Sequence, residues 1–102
     1  MPVPSDPGTI ASVRQHRWAF LTNHALVLLL IAQQSDMRIV ELAERADLSR
    51  RAVQMILRDL VDGGYVRRTR IGRRNTYAVD PDTPLRRLPQ ARVEDLLALL
   101  DR

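Results

Sequence analysis

Cysteine is absent from the 102 residues, and so is lysine. The first absence removes disulfides, zinc–thiolate sites and thiol redox sensing. The second makes all sixteen basic residues arginine. Long apolar runs are missing as well. The longest, Ala25–Ala32, is far short of the roughly 18–20 residues that span a bilayer. Residues 1–9 hold three of the six prolines, with no charged stretch followed by an apolar one, so a loose leader is expected there and not a signal peptide. A cytoplasmic location is the resulting expectation. His16 and His24 lie eight apart with no acid beside them in the sequence, which argues against a metal site. No Ser/His/Asp set, paired carboxylates or glycine-rich phosphate loop can be assembled, so neither enzymatic activity nor a cofactor is expected.

What is present fits one domain. An apolar content of 45% supports a single core, though one so small leaves much apolar surface for a second subunit to cover. The charge is unevenly spread. Arg50, Arg51, Arg58, Arg67, Arg68, Arg70, Arg73 and Arg74 are opposed only by Asp59 and Asp62, which puts that segment at +6 in a chain whose net charge is +4. The remainder is therefore −2. A basic half on a mildly acidic body is the electrostatic footprint of a nucleic-acid binder.

The apolar periodicity predicts a helix over 23–34, with Thr22 or Asn23 as its N-cap. It is apolar almost all round, as a helix buried on more than one side would be. Met37–Ile39 reads as one short strand, and a second helix over 40–46 turns Val40, Leu42, Ala43 and Ala46 inward. After the tight Asp47-Leu48-Ser49 connection, Val53, Ile56, Leu57, Leu60 and Val61 form the stripe of a third helix that ends at Gly63-Gly64. Residues 65–70 and 75–79 read as strands of a hairpin joined through Gly72. Val93, Leu96, Leu97 and Leu100 mark a last helix over 90–101. The fold class expected is mainly α with a small β-hairpin (α+β), in one domain over 10–102.

A turn of three or four residues sets two helices steeply across one another, as in a helix-turn-helix, here spanning 39–62. Opposite the apolar stripe of the third helix lie Arg51, Gln54, Met55 and Arg58, with Ser49 and Arg50 at its start. Arginine and glutamine can pair with guanine and adenine edges in a major groove. In the hairpin, Arg68, Arg70, Arg73, Arg74 and Asn75 can reach phosphates or a minor groove. These eleven residues are the candidate DNA-binding set.

Several stretches resemble one family. They are Trp18–Ala25 leading into Val27-Leu28-Leu29, Leu42-Ala43-Glu44 through Leu48–Val53, Asp59-Leu60 through Gly64-Tyr65-Val66, Gly72–Asn75 with Tyr77, and Pro84-Leu85-Arg86. In this order they resemble the small winged helix-turn-helix transcriptional regulators of the MarR and ArsR types, over roughly residues 17–100. The resemblance implies that the third helix is the recognition helix, that 65–79 is the wing and that the terminal helices dimerise. It departs from many helix-turn-helix proteins in having Asp47 where they have a turn glycine.

The expected partners are double-stranded DNA and a second copy of the chain, with no membrane. The homodimer interface is expected at Trp18, Phe20, Leu26, Leu30, Val93, Leu96, Leu97 and Leu100. Any small-molecule effector is left open. The alternative is a winged-helix interaction module whose arginine surface meets an acidic protein.

Overall fold

Thr22 starts the first helix by accepting the Ala25 N–H on its Oγ1 at 3.1 Å. In the computed structural model, which describes residues 18–101, α1 then runs Asn23–Gln33. The leader expected over residues 1–9 and the reading of His16 lie outside the described residues. Val27, Leu28 and Ile31 of α1 are buried in the core, while Leu26 and Leu30 are half-buried at its edge.

The strand expected at Met37–Ile39 does not form. Met37 is a buried core side chain, and Ile39 already belongs to α2, Ile39–Ala46. Glu41 fixes that earlier start by accepting the Arg38 N–H at 3.0 Å, one of the donors a helix N-terminus leaves unpaired. Val40, expected to face inward, is 44% exposed, and Ile39, which shares the face of Leu42, Ala43 and Ala46, packs against the core instead.

Asp47 ends α2 in the left-handed conformation, φ 56°, and Leu48 N–H closes the turn on the Ala43 carbonyl at 2.9 Å. An aspartate thus occupies the backbone state for which related turns use glycine. Ser49 then caps α3, Arg50–Asp62, its Oγ accepting from Ala52 N–H at 3.0 Å. Val53, Ile56, Leu57 and Leu60 carry α3 into the core. Each such burial contributes about 1.5–3 kcal/mol relative to leaving the side chain in water. Gly64, φ 83°, supplies the left-handed residue past its end, and Tyr65 N–H reaches the Leu60 carbonyl at 2.9 Å.

The first hairpin pairs β1, Val66–Ile71, with β2, Arg74–Val79, antiparallel, with Arg68 opposite Tyr77 and Ile71 opposite Arg74. Only Gly72 and Arg73 connect them, and Gly72 takes φ 62°. A positive φ first, with glycine there, suits a two-residue turn that matches strand twist. Val66 and Tyr77 anchor the hairpin in the core.

A second hairpin, not expected from the sequence, follows: β3, Pro84–Leu85, pairs with β4, Leu88–Arg92. Tyr65 holds it, its hydroxyl donating to the Pro84 carbonyl at 3.2 Å and accepting from Arg86 N–H at 3.0 Å. The last helix is shorter than expected for the same reason. Gln90, Ala91 and Arg92 are in β4, so α4 spans only Val93–Leu97, with a 3₁₀ turn over Ala98–Leu100. Asp95 marks the start by accepting Arg92 N–H at 2.8 Å. Helices α1 to α3 with a β-hairpin wing form an α+β winged helix-turn-helix.

Candidate nucleic-acid interface

The apolar stripe of α3 is buried, which leaves Arg50, Arg51, Gln54, Met55 and Arg58 exposed on its other side. Met55 is an apolar side chain 59% exposed in the middle of this polar face. The Ser49 oxygen is engaged as the cap acceptor, and its hydroxyl proton remains able to donate. The one base–acid contact within salt-bridge distance among the described residues is between His24 and Asp59, so no arginine of α3 or the first hairpin is matched to an acid there.

Side chains alternate across a strand. Arg68 and Arg70 therefore share a face of the hairpin with Val66, and so with Asn75, Tyr77 and Val79 across the register. That face turns towards α3. Between them lies a cleft of about 500 Å³ lined by Gln54, Arg58 and the acid Asp62 from the helix and Arg68 and Asn75 from the strands, with Ile39 and Tyr77 also in its wall. The structure therefore brings four of the sequence-derived candidates together from α3 and both strands of the hairpin.

The others divide. Arg73 sits exposed at the hairpin tip. Arg70 braces its own turn, Nε donating to the Gly72 carbonyl at 3.2 Å. Arg74 reaches across the molecule, Nη2 donating to the Asp36 carbonyl in the α1–α2 turn at 2.6 Å. Arg38, absent from the candidate set, lines a smaller hollow of about 200 Å³ with Arg74, Asn75 and Tyr77. It lies outside the arginine-dense segment, and only the fold brings it to the hairpin.

The expected interface between copies needs one correction. Val93 is 0% exposed within the single chain and belongs to its own core, so it offers nothing to a partner. Leu26, Leu30, Leu96 and Leu97 are half-buried at the core's edge, and Leu100 is exposed. Trp18 and Phe20 stand 72% and 93% exposed, edge to face, with ring centroids 5.2 Å apart.

At the far end of α3 the surroundings change. Asp59, Leu60 and Asp62 line a groove of about 610 Å³ with Ala25, Leu28, Leu85, Arg86 and Leu96. His24 Nε2 lies 2.8 Å from Asp59 Oδ2 at this groove. The acid missing from the sequence neighbourhood of His24 thus arrives through folding, 35 residues away. Among the described residues, no three His, Cys, Asp or Glu side chains gather as a metal site, and no helix is long and apolar enough to cross a membrane.

The model of the MarR family matches residues 20–73, just over half of the chain. The chain belongs to the MarR family. The match runs from Phe20 through α1, α2, α3 and β1 to Arg73 at the hairpin tip, and so includes the whole helix-turn-helix. MarR proteins are DNA-binding regulators and not enzymes, and this winged helix-turn-helix is a DNA-binding regulator in that general sense. No curated protein matches the chain.

Proposed function

We propose that the protein regulates transcription by sequence-specific binding to duplex DNA, with α3 in the major groove and the first hairpin as its wing. The supporting observation is the shared cleft, where Gln54 and Arg58 of α3 meet Arg68 and Asn75 of the hairpin. Arg51, Gln54 and Arg58 are spaced three, four and seven residues apart on one exposed helix face and read base edges. Met55 lies beside them and suits contact with a thymine methyl. Arg50 and the Ser49 hydroxyl lie at the helix N-terminus, where a phosphate is favoured. Arg68, Arg73 and Asn75 hold the backbone or an adjacent minor groove.

The working unit in this reading is a two-fold dimer covering Trp18, Phe20, Leu26, Leu30, Leu96, Leu97 and Leu100. Symmetric dimers match operators with two half-sites about one helical turn apart. Sedimentation at micromolar concentration tests this: a dimer is expected, and a species of only 11.7 kDa overturns it.

Base reading is tested by selecting bound duplexes with the wild type and with Arg51→Ala and Gln54→Ala. Each variant is expected to lose preference at one position per half-site, worth about 1–3 kcal/mol of discrimination, with little change on random DNA. An unaltered selected motif removes α3 from readout. Binding to an acidic protein with no preference among duplexes would instead support the interaction-module reading.

A further inference from the structure

Five arginines in the first hairpin invite one explanation, phosphate contact, but their geometry separates them. Arg74 begins β2 and faces away from the α3 cleft, on the strand face opposite Tyr77. Its guanidinium donates to the main-chain carbonyl of Asp36 at 2.6 Å. Three residues along the same strand, Tyr77 N–H donates to the carbonyl of neighbouring Ser35 at 3.1 Å. These two bonds attach one edge of the hairpin to the turn between α1 and α2. Met37, Arg38 and Ile39 line the hollow alongside. The rest of the hairpin beyond Tyr77 is exposed, apart from the half-buried Thr76, so its direction depends on this edge.

We infer that Arg74 is a positioning residue, a strut that fixes the wing relative to α3, and that Arg73 at the tip carries the phosphate contact. The inference rests on the DNA-binding reading for its consequence, but the strut itself exists in the free protein. Arg74 has committed a donor to a carbonyl, and a hydrogen bond from a charged group is among the stronger ones a surface offers. Without it the wing has more orientations to lose when DNA binds, and that ordering weakens affinity. No phosphate contact is removed, so the number of counterions released stays the same.

The experiment compares Arg73→Ala and Arg74→Ala by two readouts. The first is amide hydrogen exchange at Tyr77 in the free protein. Arg74→Ala is expected to speed it about ten-fold by loosening the edge, and Arg73→Ala to leave it unchanged. The second is duplex affinity as a function of salt. Arg73→Ala is expected to lower the salt slope by about one unit per subunit. Arg74→Ala is expected to weaken binding about three- to ten-fold at every salt concentration, with the wild-type slope. Arg74→Lys, which keeps the charge and a donor, is expected to recover part of the Tyr77 protection.

Unchanged Tyr77 exchange in Arg74→Ala, or a slope lowered as much as in Arg73→Ala, overturns the strut. If the wild type binds no duplex at all, the proposed function fails, and the exchange measurement still decides the strut by itself.

Discussion

The two helices of the helix-turn-helix differ in the charge of their end turns. In α2 the acid Glu41 lies in the first turn, and the last turn holds both Glu44 and Arg45. A helix has partial positive charge at its N-terminus and partial negative charge at its C-terminus, so Glu41 and Arg45 agree with the dipole of α2, while Arg38 at its N-cap and Glu44 in its last turn oppose it. In α3 the first turn has no acid but Arg50 and Arg51, and the last turn has no base but Asp59 and Asp62. Taken alone, that order opposes the helix. α3 holds its shape by other means: the Ser49 cap, the left-handed Gly64 and four buried side chains on its inner face. The uncompensated positive end is the end with Gln54 and Met55 exposed beside it, and an anion placed there relieves it. α2 has mixed charges at its ends, whereas both ends of α3 oppose its dipole and its caps and packing hold it.

The largest effect expected follows from α3's reliance on packing. Leu57→Ala removes a core side chain that is 4% exposed. It should destabilise the protein by about 2–5 kcal/mol, read as a lower denaturant midpoint at unchanged slope. A loss under about 1 kcal/mol, well below the range for such a truncation, would show that packing is not what holds α3 against its charge order.

A charge change comes next, and the comparison makes its sign informative. Arg50→Glu should stabilise α3 by about 0.3–1 kcal/mol, because it places an acid in the first turn. The same change should weaken duplex binding and reduce its salt dependence, because it sets a like charge against the DNA backbone. Stability and binding therefore move in opposite directions. In α2, Glu41→Arg should lower stability, since it reverses a favourable charge and removes the acceptor of the Arg38 N–H. If Arg50→Glu lowered stability too, the contrast between the helices would be wrong.

Most of this contrast is legible in the sequence, and the remainder is not, for identifiable reasons. The stripe from Val53 to Leu60 sets the inner face of α3, and hence its arginine face, because a 3.6-residue period leaves one choice of side. Thr22, Ser49 and Gly64 signal helix ends by their own chemistry. The second hairpin carries no such signal. β3 is two residues long, its turn passes through Arg87 at φ 71° with no glycine, and its anchor is the distant Tyr65 hydroxyl. The stripe through Val93 gives the right face of α4 but not which body that face meets, and Val93 meets its own core. Arg74 and Arg38 lie beyond the reach of composition, which registers an arginine but not whether a carbonyl from another turn occupies it.

The smallest effect concerns the residue between the two helices. Asp47 lies just past the C-terminus of α2, where a negative charge is unfavourable, and it is also held at φ 56°. Like Glu44 in the last turn, it runs against the dipole of α2. An asparagine in its place would keep a side chain that tolerates the left-handed region and remove the charge. Asp47→Asn is therefore expected to stabilise the protein by a few tenths of a kcal/mol, up to about 1. Asp47→Gly removes the backbone strain but adds freedom to the unfolded chain, so its net change should be close to zero. Asp47→Ala has neither the tolerance of asparagine nor that of glycine, and should lose about 1 kcal/mol. Denaturant midpoints for the three variants test the order Asn above wild type above Ala. A stable Ala variant would mean that the turn relaxes out of the left-handed state without cost. The crossing of α2 and α3 would then be set by their shared core, and the three-residue connection would merely follow it.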